Sequence, residues 1–319
     1  MGRVRDNFTV TDCLTGYAFA HQDKIILQSE PKVVFRRFPS ENKVALVSGG
    51  GSGHEPLHVG FVGKGMLDAA CPGEIFTSPT PEQIVSAINQ FRKNSGVLLI
   101  IKNYQGDKLN FELASELTDV GVKSVLVNDD AAGQDRNSAR GLAGVVIVEK
   151  ILGAAAENGL ELSQLERLGK QVSERTRSLG IAFSSCSWRS GSMSTVKENE
   201  LEYGVGIHGE LGALRIERPS LSSIVSKVIN DIIASLGSYP KNPILLVNGL
   251  GVAPLTLLYQ VAEIANKNLS SKGISIARVL VGNFVTTLDT NGFSLTITDA
   301  NPEWLPLWDS AVYTPALVM

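Results

Sequence analysis

The chain has no cysteine pair at metal-binding spacing, no surplus of either charge and no apolar run long enough to span a bilayer. Its three cysteines, Cys13, Cys71 and Cys186, are odd in number and form no C-x-x-C, so they point to neither a disulfide framework nor a zinc site. Lys and Arg number 29 against 32 Asp and Glu, a net charge of −3, which gives no basic surface for direct contact with nucleic acid or an anionic membrane. The opening MGRVRDNFTV carries no apolar signal region, and the chain reads as cytoplasmic. There is also no internal repeat and no low-complexity tract. What is present is 319 residues at 43% hydrophobic content, enough for two cored domains. They are expected over 1–178 and 179–319.

The most informative stretch is KVALVSGGGSGHEPLH, residues 43–58. Val44 to Val47 reads as a buried strand. Ser48 to Gly53 then reads as a glycine-rich loop whose backbone can take positive φ and bring amides close to a ligand. A strand that empties into such a loop sets it at the carboxyl end of a sheet, where open α/β sheets bind their ligands. Leu57 to Met66 suggests a short helix. Thr80, Pro81 and Gln83 give a helix start, with Ile84, Val85, Ile88 and Phe91 on one face. Gly96 to Asn103 reads as a strand buried on both faces, followed by a second loop at Tyr104 to Asp107, a helix over 109–117 and a strand over 124–127. This alternation predicts a parallel sheet.

The second half is expected to follow a helix over 144–158 and a charged connector over 166–177. Strands are expected at 180–183, 244–247, 278–282 and, exposed on one face, 292–298; Ser184 to Asn199 reads as a polar loop. Residues 220–236 read as an amphipathic helix. The expected class is therefore α/β: two α/β domains with largely parallel or mixed sheets and helices on their faces.

Several motifs compete with plainer explanations. The glycine segment is not a P-loop, because no Gly-Lys-Ser/Thr follows, and it fails G-x-G-x-x-G because Pro56 stands where the third glycine belongs. A tight structural turn is its plain alternative. His54-Glu55-Pro56-Leu57-His58 matches H-E-x-x-H, but Pro56 is tolerated only in a first helical turn, which leaves His54 off the helix face that zinc ligation needs; the match reads as accidental. His208 ends a strand between Gly206 and Gly209, glycines that clear space around its ring. Asp107 either caps the following helix or serves the site, and Lys102 at a strand end would ordinarily snorkel to solvent.

The blocks SGGGSGHEP (48–56), CPGEIFTSPTP (71–81), GVLLIIKNYQGDKLNFE (96–112), RGLAG…EKILGAAAE (140–157), EYGVGIHGE (202–210) and LDTNGFSLT (288–296) together resemble the dihydroxyacetone kinase K-subunit family, DhaK, from about residue 40 to the end. The resemblance implies homodimers of two-domain α/β subunits. It also implies a histidine, here His208, that forms a covalent hemiaminal with dihydroxyacetone. Gly51, Ser52, Gly53, His54, Lys102 and Asp107 would surround the rest of the ligand, with His208, His54 and Asp107 in the catalytic roles. Neutral imidazole is a nucleophile at cytosolic pH. His54 or a loop amide would donate to the carbinol oxygen, and Asp107 would take a proton from a terminal hydroxyl. No cofactor and no metal are implied, and the phosphoryl donor of the family sits on a separate nucleotide-bearing partner, DhaL, or on a fused domain.

Departures from the pattern separate two roles. The segment from Asp129-Asp130 to Arg140-Gly141 is short and lacks one arginine of a usual Arg-Arg pair, and Glu210-Leu211-Gly212 replaces Glu-Pro-Gly. These changes favour a sensor resembling DhaQ, a coactivator acting with a TetR-like DNA-binding regulator. The retained Asp107 favours a kinase subunit working with DhaL.

Overall fold

In the computed structural model, residues 9–40, 42–133, 135–186 and 196–319 are described. The first half runs α1 (Val10–Ala20), β1 (Ile25–Gln28), β2 (Val33–Arg36), β3 (Ala45–Ser52), β4 (Ala69–Ile75), α2 (Pro81–Gln90), β5 (Val97–Lys102), α3 (Gln105–Glu116), β6 (Val122–Val127), α4 (Gly144–Glu157) and α5 (Leu162–Glu174). The second half runs β7 (Thr176–Ala182), β8 (Glu200–Val205), β9 (Leu214–Glu217), α6 (Leu221–Leu236), β10 (Pro243–Gly249), α7 (Leu255–Ser271), β11 (Arg278–Gly282), β12 (Gly292–Asp299) and α8 (Leu305–Trp308).

Each half builds a six-stranded sheet, in the orders β1-β2-β4-β3-β5-β6 and β11-β10-β12-β7-β8-β9. The first is parallel over β4, β3, β5 and β6 and antiparallel at the β1–β2 edge. The second is antiparallel except for β10 with β11. The mixed α/β class holds, with parallel pairing concentrated in the first sheet. Helix α4 packs against strands of both sheets. It is apolar nearly all round (GVVIVEKILGAAAE) and buried from Gly144 to Ala156, as a helix covered on every side must be. One hydrophobic core accordingly runs from Val10 and Leu98 through α4 to Ile244, Trp304 and Trp308.

Four sequence expectations need correction. The glycine segment is not a loop, since β3 continues through Ser52. The helix expected within 57–66 is a single 3-10 turn, Val59–Phe61. The charged connector is helix α5, whose Leu165, Gly169 and Val172 face inward while its charges face out. Strand β12 is buried along its whole length: its alternate residues Thr296 and Thr298 bond to Ser178 and Thr176 at 2.6 and 2.8 Å. The polar loop expected from Ser184 to Asn199 lies partly outside the described residues.

Candidate active site

The glycines of β3 serve clearance. Gly49, Gly50 and Gly51 pair with Cys71, Pro72 and Gly73 of β4. A Cβ on Gly49 would stand 2.6 Å from the Cys71 carbonyl oxygen, one on Gly50 2.3 Å from Lys102 Nζ, and one on Gly51 2.6 Å from the Thr77 nitrogen. In this stretch only Gly53 uses positive φ, at 100°. Its amide donates to Glu55 Oε2 at 2.9 Å, and Ser52 turns its hydroxyl to the Gly73 carbonyl at 2.7 Å.

The room left by Gly50 is filled by Lys102. This lysine ends β5 and does not snorkel; it is 1% exposed. Its ammonium meets three acceptors: the Gly49 carbonyl at 3.0 Å, His58 Nε2 at 2.8 Å and Asp107 Oδ2 at 3.4 Å. Asp107 sits in the first turn of α3, where the helix dipole favours a negative charge. It caps nothing: the N-cap position belongs to Tyr104, and the Asp107 carboxylate is taken by the Ser78 hydroxyl and Lys102.

His208 follows β8 by three residues. Its backbone N–H donates to Glu210 Oε2 at 2.7 Å. Glu210 Oε1 receives Arg140 Nη1 at 3.0 Å, and Arg140 also reaches Asp130 Oδ2 and the Gly204 carbonyl at 2.6 and 2.8 Å. The short 130–140 segment is thereby tied to the histidine's turn. The flanking glycines make room for this turn and not for the ring, because a Cβ on Gly206 would fall 1.7 Å from Glu210 Oε1 and one on Gly209 2.8 Å from Cys186 Cβ.

The His208 ring stands edge-on to Tyr104, His54 and Phe76, at centroid distances of 4.4, 4.8 and 5.7 Å. Burial holds its pKa below the usual histidine value; Glu210 and Asp107 oppose that shift, while Lys102 and Arg140 add to it. His54 stacks on Phe76 at 5.1 Å and is held well below the usual value by burial and then by His208. Its Nδ1 donates to the Thr286 carbonyl at 2.9 Å, so the bare Nε2, buried without a partner, is an acceptor. His54 in this tautomer cannot donate to a carbinol oxygen, which leaves the loop amide of the two donors the sequence offered. His54 and His58 share no helix face, because residues 53–58 are bends and turns.

The structure thus brings His54 and His208 together, and places Lys102 and Asp107 near enough to shift the ionisation of His208. Phe76, Tyr104 and Ser78 line this site inside the resembling blocks but carried no signal of their own. Glu149 carries a legible signal, since it and Lys150 are the two charges in the apolar GVVIVEKILG run and a buried charge must be paired. Thr286 had no signal. Chemically, the arrangement offers a neutral imidazole nucleophile among aromatic rings, a bare imidazole acceptor and a carboxylate partnered by an ammonium.

Two six-stranded sheets with one buried helix packed against strands of both, and two histidine rings 4.8 Å apart, define a two-sheet mixed α/β protein. The chain belongs to the Dak1 domain family, whose domain matches residues 15–316. It is 43% identical over 338 aligned positions to the dihydroxyacetone-binding subunit DhaK of the PEP-dependent dihydroxyacetone kinase of Escherichia coli K12, covering 95% of each chain. Among solved structures it is similar to the dihydroxyacetone kinase operon co-activator Dha-DhaQ, at TM-score 0.92 and 32% identity over 98% of this chain and 99% of that one. It is also similar to the Citrobacter freundii dihydroxyacetone kinase in complex with AMP-PNP and Mg2+, at TM-score 0.91 and 34% identity, covering 98% of this chain and 60% of that one. No helix among the described residues is long and apolar enough to cross a membrane.

Proposed function

We propose that this protein binds dihydroxyacetone in the cytoplasm and holds it as a hemiaminal on His208. The observation that carries this is the half-buried His208 ring, its pKa lowered by desolvation, beside the bare Nε2 of His54. A ring nitrogen of His208 attacks the ketone carbon, the carbonyl π pair moves to oxygen, and the proton lost from the other ring nitrogen balances the proton gained by that oxygen. The new hydroxyl donates to His54 Nε2. A three-carbon ligand offers few atoms for affinity, and a covalent bond makes up the difference. In this reading the first domain supplies Gly51, Ser52, Gly53, His54, Lys102 and Asp107, the second supplies His208, and the protein is a homodimer. Calorimetric titration with dihydroxyacetone tests uptake: saturable heat is expected, and none would overturn the reading.

Two roles share this capture. The sensor role, with a TetR-like regulator as partner, is supported by the short 130–140 segment, which Arg140 ties to Asp130 and Glu210. There, occupancy of His208 is the signal. The kinase role is supported by Asp107, set at a helix start between Ser78 and Lys102. There, Asp107 takes the proton of a terminal hydroxyl as its oxygen attacks the γ-phosphorus of a DhaL-bound nucleotide and the diphosphate leaves. Dihydroxyacetone phosphate formation with a nucleotide-loaded DhaL separates them: turnover matching a DhaK control assigns the kinase, and uptake without turnover assigns the sensor.

A further inference from the structure

Behind Lys102 a polar chain of His58 and Glu149 links the lysine to helix α4. His58 and Glu149 are 4% and 0% exposed. Their chain neighbours Leu57 and Val148 belong to the hydrophobic core. Burying two titratable groups there is costly unless each is paired. His58 Nε2 lies 2.8 Å from Lys102 Nζ, and His58 Nδ1 lies 2.6 Å from Glu149 Oε1.

The protons in this chain can be assigned from chemistry alone. An ammonium only donates, so His58 Nε2 must accept, and a neutral imidazole then carries its proton on Nδ1. That proton goes to Glu149 Oε1. Burial and then the nearby Lys102 charge hold His58 well below the usual histidine value, which keeps the ring neutral. Burial also pushes the Glu149 carboxyl up to about 8. Its Oε1 remains an acceptor whether or not Oε2 carries a proton, so the assignment does not depend on its charge. The Lys102 ammonium has three protons and three acceptors, Gly49, His58 and Asp107. The Asp107 contact, at 3.4 Å, is the longest.

We infer that His58 and Glu149 are positioning residues: Glu149 fixes the Nδ1–H tautomer of His58, and His58 thereby holds the Lys102 ammonium against Asp107. The inference rests on the ligand-capture reading for its consequence, since the group finally positioned, Asp107, faces the His208 site. Without His58 the ammonium loses an acceptor in a dry interior, and either it or its neighbours must move. Gly50 belongs to the same device, because any side chain there would occupy the position of Lys102 Nζ.

Two measurements test it. Long-range proton–nitrogen NMR on ring-labelled histidine reads the tautomer directly, and with four histidines in the chain, His21, His54, His58 and His208, the His58 signals are those missing in a His58→Gln variant. The parent protein, with no ligand added, should show a pyrrole-type Nδ1 and a pyridine-type Nε2. A proton on Nε2, or a charged ring, overturns the proposal even where the variants take up no ligand. The second measurement is dihydroxyacetone uptake by His58→Gln and His58→Leu. The glutamine amide can accept from Lys102 and donate to Glu149, so its uptake should stay within about threefold of the parent, whereas leucine should lose about tenfold or more. Equal loss in both, or no loss in the leucine variant, sinks the positioning role. If the parent itself takes up no dihydroxyacetone, the capture reading fails while the tautomer result still stands for or against the His58–Glu149 link.

Discussion

Burial sets the charge of the histidines that matter here. His208 and His54 are both held below the ordinary histidine value, so at neutral pH His208 keeps the lone pair that attacks a carbonyl. Capture should therefore be flat above pH about 6.5 and should fall only below it, as His208 takes up a proton. A stopped-flow or mass-based rate profile checks this, and a rate that still rises between pH 7 and 9 contradicts it. Gly50 gives a second residue-scale prediction. Gly50→Ala pushes a methyl into Lys102 Nζ and should cost about 1–3 kcal/mol of stability by the overpacking route, measured by urea unfolding. At this scale the sequence exposed identities better than directions. The glycine run marked the site, but Gly50 is required by the Lys102 side chain and Gly49 and Gly51 by the backbone of residues 71 and 77, neighbours no local pattern reveals. The same holds for Asp107, whose partners Ser78 and Lys102 come from elsewhere in the chain.

Elements with strong local signals form where the sequence places them. Helix α2 begins at Thr80 with a full capping box, Thr80 and Gln83 each bonding the other's backbone. Thr80→Ala should cost about 1 kcal/mol, read as a lowered thermal midpoint with unchanged capture. Helix α4 is more demanding. A Cβ on Gly153 would stand 2.3 Å from the Gly65 carbonyl oxygen, and backbone cannot step aside as a side chain can. Gly153→Ala should cost about 1–3 kcal/mol despite alanine's better helix propensity. A stabilised variant would show that the helix can shift. The elements missed at the sequence level are those whose pattern was masked or passed over. The charges of α5 hid its inward face of Leu165, Gly169 and Val172. The spacing of Leu258, Val261, Ala265 and Leu269 gives α7 its buried face. In β12 the alternating threonines look solvent-facing, but they bond across the sheet to β7.

For the molecule as a whole, the shared core makes both sheets depend on α4 and on the chain's last turns. Lys150 of α4 donates to the Leu307 and Ser310 carbonyls at 3.0 and 2.9 Å. The acid response should follow the three histidines whose pKa desolvation lowers. His54, His58 and His208 all have lowered pKa values in the folded state, so the unfolded chain binds protons that the folded one refuses. Their contribution to stability is present above pH about 6.5 and is lost as the pH falls below it. Glu149 has the opposite sign. With its folded pKa raised to about 8, it weakens the fold as pH rises from its unfolded value of about 4.3 toward 8. Glu149→Gln should flatten that alkaline limb and leave the acid limb in place, as urea midpoints across pH will show.

The class, the two sheets' worth of chain and the family blocks were legible in the sequence. The meeting of the halves was not, because it is set by α4, whose apolar pattern says only that it is covered and not by what.

The central claim is covalent capture on His208, and intact-mass spectrometry of the protein incubated with dihydroxyacetone tests it most directly. The account predicts one ligand mass added to the parent protein, absent from His208→Ala. An adduct of unchanged yield in the variant would contradict it.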